Sequence, residues 1–122
     1  IVIVLRALTH IVFASVGALI LKSKPTILTT LGGSALFGLF LGVIHAVCEV
    51  VVVTLFFFGN RLPENYYENG YFMSVIALLG FGTIIHSMVD FGIAVFIWKP
   101  ITKVIHIPFN AKVRVKEKAA LQ

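Results

Sequence analysis

The sequence predicts an all-α integral membrane protein, a helical bundle of three transmembrane helices with a short interfacial segment before the second. Three observations lead there. Hydrophobic residues make up 59% of the 122 positions and charged residues only 12%, where an average soluble domain has roughly 45–50% and about 25%; the mean hydropathy is +1.03. The apolar residues fall in three blocks, each long enough for the ~20 residues that cross a bilayer at ~1.5 Å apiece. The cations collect at the ends of those blocks and in the C-terminal tail, where membrane proteins keep them.

The first block, residues 1–21, is broken only by Arg6 and His10 and predicts one span. The second, residues 26–58, is too long for one upright helix and too short for two with a loop. Gly32-Gly33 is the expected break, with residues 26–31 as an interfacial turn and 34–58 as the span. The third span is expected over residues 71–98, where Gly80 and Gly82 predict a kink or tilt. Residues 1–100 then form one membrane domain and 101–122 a basic tail. The start at Ile1 rather than Met leaves room for a preceding segment.

The connectors orient the spans. Lys22, Lys24 and Pro25 form a short basic link, and the tail carries Lys99, Lys103, Lys112, Arg114, Lys116 and Lys118. Two spans separate link from tail, so both are expected on the cytoplasmic side, with the N-terminus outside. The outer loop over residues 59–70 reads GNRLPENYYENG, with Arg61 set against Glu64 and Glu68, and Tyr66 and Tyr67 for the aromatic belt. The net charge of +5 therefore marks topology. Nucleic acid is not expected as a partner, since no basic stripe interleaves with aromatics. The single cysteine, Cys48, sits in an apolar run, so no intrachain disulfide forms, and a buried thiol there is no nucleophile. No phosphate-cradling glycine motif is present.

The exceptions to apolarity are ordered. Each span has one central histidine, His10, His45 and His86, and each histidine has a charged residue four positions away, Arg6, Glu49 and Asp90. That spacing puts each pair on one helix face. With spans alternating in direction, Arg6 and Glu49 fall at similar depth and can pair, whereas Asp90 falls one turn to the inner side. Small residues run beside them: Ala14 and Ala18 follow His10; Ser34, Gly38, Gly42 and Ala46 form a GxxxG-containing row; Gly82 and Ala94 flank His86 and Asp90. Small residues let helices approach closely in lipid, so the polar groups are expected where helices meet.

Three chemistries suit this cluster. It can be a hydrogen-bonded network that fixes helix packing, or the lining of a path or pocket for a solute, ion or proton. It can also hold a metal ion or haem, with His45, Glu49, His86 and Asp90 as candidate ligands.

Two resemblances bear on the choice. Arg6-x3-His10-x2-Phe13 with His86-x3-Asp90 resembles the later motifs of the PrsW and CPBP groups of intramembrane metalloproteases, which implies metal-dependent hydrolysis; the paired glutamates of those groups are missing from this sequence. The last two spans, with an aromatic outer loop and a short basic end, are similar in layout to the end of the substrate-binding component of energy-coupling-factor vitamin transporters. The functional expectation is a small polytopic binding, transport or accessory component, in lipid and in a homo-oligomer or with other membrane subunits. An intramembrane metal-dependent protease-like protein and a haem-carrying redox subunit are the alternatives.

Overall fold

The computed structural model describes residues 1–105, apart from the side chains of Lys99 and Lys103. All regular structure among them is helical. α1 covers Val2–Ser23, α2 Leu31–Phe58, α3 the single turn Asn65–Glu68, and α4 Gly82–Val104, preceded by a π-helical segment Phe72–Phe81 that forms the first part of the third span. Among the described residues three helices are long and apolar enough to cross a membrane, with mean hydropathies of 2.0, 2.4 and 1.9. The chain is an integral membrane protein.

The predicted break at Gly32-Gly33 is displaced. α1 stops at Ser23, because the residue before Pro25 is steered out of the helical region, and a 3-10 turn over Ile27–Thr29 occupies the expected interfacial position. Thr30 then caps α2, its Oγ1 accepting from the Gly33 amide at 3.0 Å. The helix thus begins at Leu31, with both glycines inside its first turn. Gly33 is needed there for close approach: a Cβ would strike the Ile27 carbonyl and the Thr30 hydroxyl.

α2 is about 42 Å long at ~1.5 Å per residue, longer than the ~30 Å hydrocarbon core, so it tilts or emerges. It ends at Gly59, and Asn60 takes the left-handed conformation (φ 51°) that Asn tolerates best after Gly. In the following loop Tyr67 acts as a clamp: its hydroxyl accepts from the Leu62 amide at 3.1 Å and donates to the Phe57 carbonyl at 3.2 Å. Phe57, Phe58, Tyr67 and Tyr71 stack at centroid distances of 4.7–5.6 Å. Arg61 forms no ion pair with Glu64 or Glu68 among the described residues. In the third span, π winding gives way to α winding at Gly82. α4 continues through Pro100 to Val104, past the expected end at 98. Most of the basic tail lies outside the described residues.

α2 is the central helix. About 44% of its most apolar stretch is buried inside the protein, against 11% for α1 and 17% for the third span. α1 and α4 both pack on it and have little contact with each other. The apolar core is Leu28, Phe37 and Leu41, with Val16, Ile20, Leu21, Ile27 and Phe91 packed round it. Outward faces carry the exposed apolar residues Ile3, Leu19, Leu36, Leu55, Phe72 and Phe96.

Candidate functional site

α2 is the floor on which the polar residues assemble. Gly38, Gly42, His45, Ala46 and Glu49 are all buried along one side of it. The glycines act as sockets. A Cβ on Gly38 would lie 2.6 Å from the Phe91 ring, and one on Gly42 would lie 3.4 Å from the Ile84 carbonyl and from Ser87 Cβ. The neighbouring helix therefore seats a large aromatic in one gap and its backbone in the other. Ser34, at the start of the row, is half-buried and donates to the Leu28 carbonyl at 3.3 Å.

On the α1 side, Arg6 Nε donates to Glu49 Oε2 at 2.7 Å, joining the two residues that the antiparallel reading set at one depth. Glu49 is enclosed, with 4% of its side chain exposed, and Arg6 is 35% exposed. Thr9, buried beside them, donates to the Arg6 carbonyl at 2.6 Å and has its hydroxyl 3.5 Å from Glu49 Oε1. One turn along, the His10 ring stands edge-on to His45 at 4.4 Å, and Phe13 lies 4.5 Å from His45. His10 Nδ1 is 3.3 Å from the Arg6 carbonyl.

On the α4 side, His45 Nδ1 meets Ser87 Oγ at 2.9 Å. His45 Nε2 has no hydrogen-bond partner among the described residues, and its nearest charged neighbour is Glu49 Oε1 at 3.8 Å. Electrostatics favours the tautomer in which Ser87 donates to Nδ1 and the Nε2 proton faces the carboxylate, because the other tautomer turns two acceptors toward each other. These groups line a cleft of about 220 Å³, floored by Gly38, Leu41, Gly42 and His45 and walled by His10 and Phe13 on one side and Ser87, Asp90, Phe91 and Ala94 on the other. It offers aromatic faces, a hydroxyl and a carboxylate to a small solute.

Within this chain the third pair sits elsewhere than expected. His86 Nε2 and Asp90 Oδ2 are 3.0 Å apart, with side chains 71% and 58% exposed; Asp90 reaches the cleft rim while His86 faces away. The row of Gly82, His86, Asp90 and Ala94 is not the face that meets α2. That face presents Phe91, which fills the gap at Gly38, and the Ile84 backbone and Ser87, which approach Gly42. Ala14 and Ala18 of α1 are exposed, α1 using Thr9, Phe13 and Gly17 against α2, with Leu41 seated on Gly17. His45, Glu49, His86 and Asp90 do not converge: no group of three or more His, Cys, Asp or Glu side chains among the described residues is placed to hold a metal ion. Thr9 and Phe91 were not singled out from the sequence, nor was the bond between Ser87 and His45. Thr9 and Ser87 adjoin the singled-out histidines, and that adjacency was the available signal.

The chain is similar to the niacin transporter NiaX of Lactococcus lactis subsp. cremoris (strain MG1363), with 31% identity over 110 residues, or 90% of this chain and 48% of the relative. It therefore spans about half the length of that curated relative. No protein-family model and no solved structure matches the chain.

Proposed function

We propose that this chain belongs to a membrane transporter of small solutes and that the cleft between its spans receives the solute, a small aromatic carboxylate of which niacin is the leading candidate. The similarity to NiaX along 90% of the chain carries this reading. The chemistry of the cleft supports it. Niacin is a pyridine bearing a carboxylate. The rings of His10, Phe13 and His45 offer stacking faces to a flat heterocycle, and the Asp90 carboxylate and the Ser87 oxygen in the cleft wall can accept from the N–H of a protonated pyridine ring. The layout of the last two spans favours the substrate-binding component of an energy-coupled transporter over a complete pump. Other membrane subunits are then the expected partners, with the N-terminus and the loop over residues 59–70 outside and the basic tail in the cytoplasm. The metalloprotease and haem readings gain no support from the placement of their candidate ligands.

The test is binding of radiolabelled niacin to membranes containing the full chain. Saturable binding, displaced by unlabelled niacin and weakened at least several-fold by Ser87→Ala or Asp90→Asn, is the expected result. Absence of saturable binding and of niacin uptake above membranes lacking the protein would overturn the substrate assignment.

A further inference from the structure

The His45 ring joins the ion pair between α1 and α2 to the α4 wall of the cleft. Its Nδ1 meets Ser87 Oγ at 2.9 Å, and its Nε2 lies 3.8 Å from Glu49 Oε1. The residue is buried, and Nε2 has no hydrogen-bond partner among the described residues. A neutral imidazole carries one ring proton, and in an enclosed site the nearest fixed charge decides which nitrogen holds it. Here that charge is the buried Glu49. Its Oε2 is taken by Arg6 Nε at 2.7 Å, which leaves Oε1 to face His45. The Thr9 hydroxyl does not compete well for Oε1, since it is 3.5 Å away and already donates to the Arg6 carbonyl at 2.6 Å. A bare Nε2 would aim its lone pair at a carboxylate. The proton therefore sits on Nε2, Nδ1 is left as an acceptor, and the single proton of the Ser87 hydroxyl is committed to it. The consequence falls on the cleft, whose α4 wall carries Ser87 and Asp90. Ser87 turns only oxygen lone pairs to the cleft. Asp90 brings a carboxylate, whose Oδ2 is 3.0 Å from His86 Nε2. This wall accepts hydrogen bonds and donates none.

We propose that Glu49, acting through His45, fixes the polarity of the Ser87 hydroxyl, and that the cleft thereby selects the ring-protonated form of its solute over the bare heterocycle. The proposal rests on a ring-nitrogen solute occupying the cleft. Glu49 touches no solute there and is a positioning residue. A bare pyridine nitrogen would set its lone pair against a hydroxyl oxygen and a carboxylate, whereas a protonated one donates to either. Glu49→Gln should reverse the wall. Arg6 then holds the amide oxygen in place of Oε2, and the amide NH2 faces His45 Nε2. The ring proton passes to Nδ1 and is donated to Ser87 Oγ, and the hydroxyl proton turns into the cleft, where it suits a bare nitrogen.

The first arm of the test is NMR of isotope-labelled histidine ring nitrogens in the full chain, in bilayers and without ligand, with the His45 signals assigned by their loss in His45→Ala. Wild-type His45 should be protonated on Nε2, Ser87→Ala should keep the proton there, and Glu49→Gln should move it to Nδ1. A wild-type proton on Nδ1, a doubly protonated ring, or an unmoved proton in Glu49→Gln overturns the proposal. Wild type and Ser87→Ala decide the matter even if Glu49→Gln does not fold, because a proton that leaves Nε2 when Ser87 is removed places control with Ser87 and overturns it too. The second arm compares binding of niacin and of benzoate, which has the same carboxylate on a six-membered ring without the nitrogen. Arg6, His10, Glu49, His86 and Asp90 are the charged and titratable groups around His45 and the cleft. Their titration acts on both ligands, so the affinity ratio isolates the ring nitrogen. As pH falls from neutral, the ratio of niacin to benzoate affinity should rise by up to about tenfold per pH unit in the wild type, following the protonated fraction, and most of that slope should be lost in Glu49→Gln. A flat wild-type ratio overturns the proposal and leaves niacin as the solute. Absence of niacin binding at every pH overturns the substrate reading and the solute preference with it, while the ligand-free tautomers still decide the relay from Glu49 to Ser87.

Discussion

Replacing Arg6 by Met should destabilise the chain by about 2–3 kcal/mol, and the size of that loss tests whether the α1–α2 contact rests on a charge pair. A hydrogen bond to a charged group contributes about 1.5–3 kcal/mol, and stranding one member of a buried pair costs about 3–5 kcal/mol. Glu49 is enclosed but Arg6 is 35% exposed, and the Thr9 hydroxyl remains 3.5 Å from Glu49 Oε1 after Arg6 is removed. Both facts place the loss at the lower end. Polar contacts between membrane helices average only about 0.6 kcal/mol, so the two expectations are separable. Removing both charges, Arg6→Met with Glu49→Leu, strands nothing and should cost less than Arg6→Met alone. A double-mutant cycle should then give a coupling of about 2 kcal/mol, a factor of about thirty in the unfolding equilibrium at ~1.4 kcal/mol per tenfold. The charge swap, Arg6→Glu with Glu49→Arg, should recover only part of the loss, because it puts the longer side chain in the tighter site. Steric trapping or denaturant unfolding in bicelles measures each variant. A coupling below about 0.5 kcal/mol, the ordinary error of additivity, would refute the reasoning.

Gly38→Ala should lower stability by about 1–3 kcal/mol, the usual cost of overpacking, because the new methyl meets the Phe91 ring at 2.6 Å. Gly42→Ala, at 3.4 Å from its neighbours, should cost clearly less, and thermal melts in detergent that reverse this order would contradict the socket geometry. Tyr67→Phe removes the acceptor for the Leu62 amide and the donor to the Phe57 carbonyl; about 1 kcal/mol of local stability should go, seen as faster proteolysis of the 59–70 loop with little change in global unfolding. His45→Ala should open the floor of the cleft and abolish niacin binding, while Thr30→Ala, which removes only the α2 cap and costs about 1 kcal/mol, should leave binding within twofold.

Much of the fold was legible because bilayer spans announce themselves by length and apolarity, and the Arg6–Glu49 pair was legible because alternating span direction converts sequence position into depth. The start of α2 was misplaced because a threonine cap outweighs the helix-weakening effect of two glycines in a first turn, where few hydrogen bonds depend on them. The facing of α4 was harder. A row of small and polar residues in the sequence does not fix which side of the helix its neighbour meets. Gly38 and Gly42 accept Phe91 and the backbone near Ile84 instead, which turns His86 outward. The bond between Ser87 and His45 was missed because it depends on rotation of α4 about its axis, which packing sets and hydropathy does not.

The π-helical stretch Phe72–Phe81 has an evolutionary consequence. A π segment is an α-helix holding surplus residues within its turns, so it works as a length reservoir ahead of the part of α4 that faces the cleft. Deleting one residue there can be taken up by a return to α winding, and inserting one by extending the π winding. Either way Ser87 keeps its alignment with His45. Related chains should therefore vary in length within this segment while keeping the spacing from Ser87 to Phe91 constant.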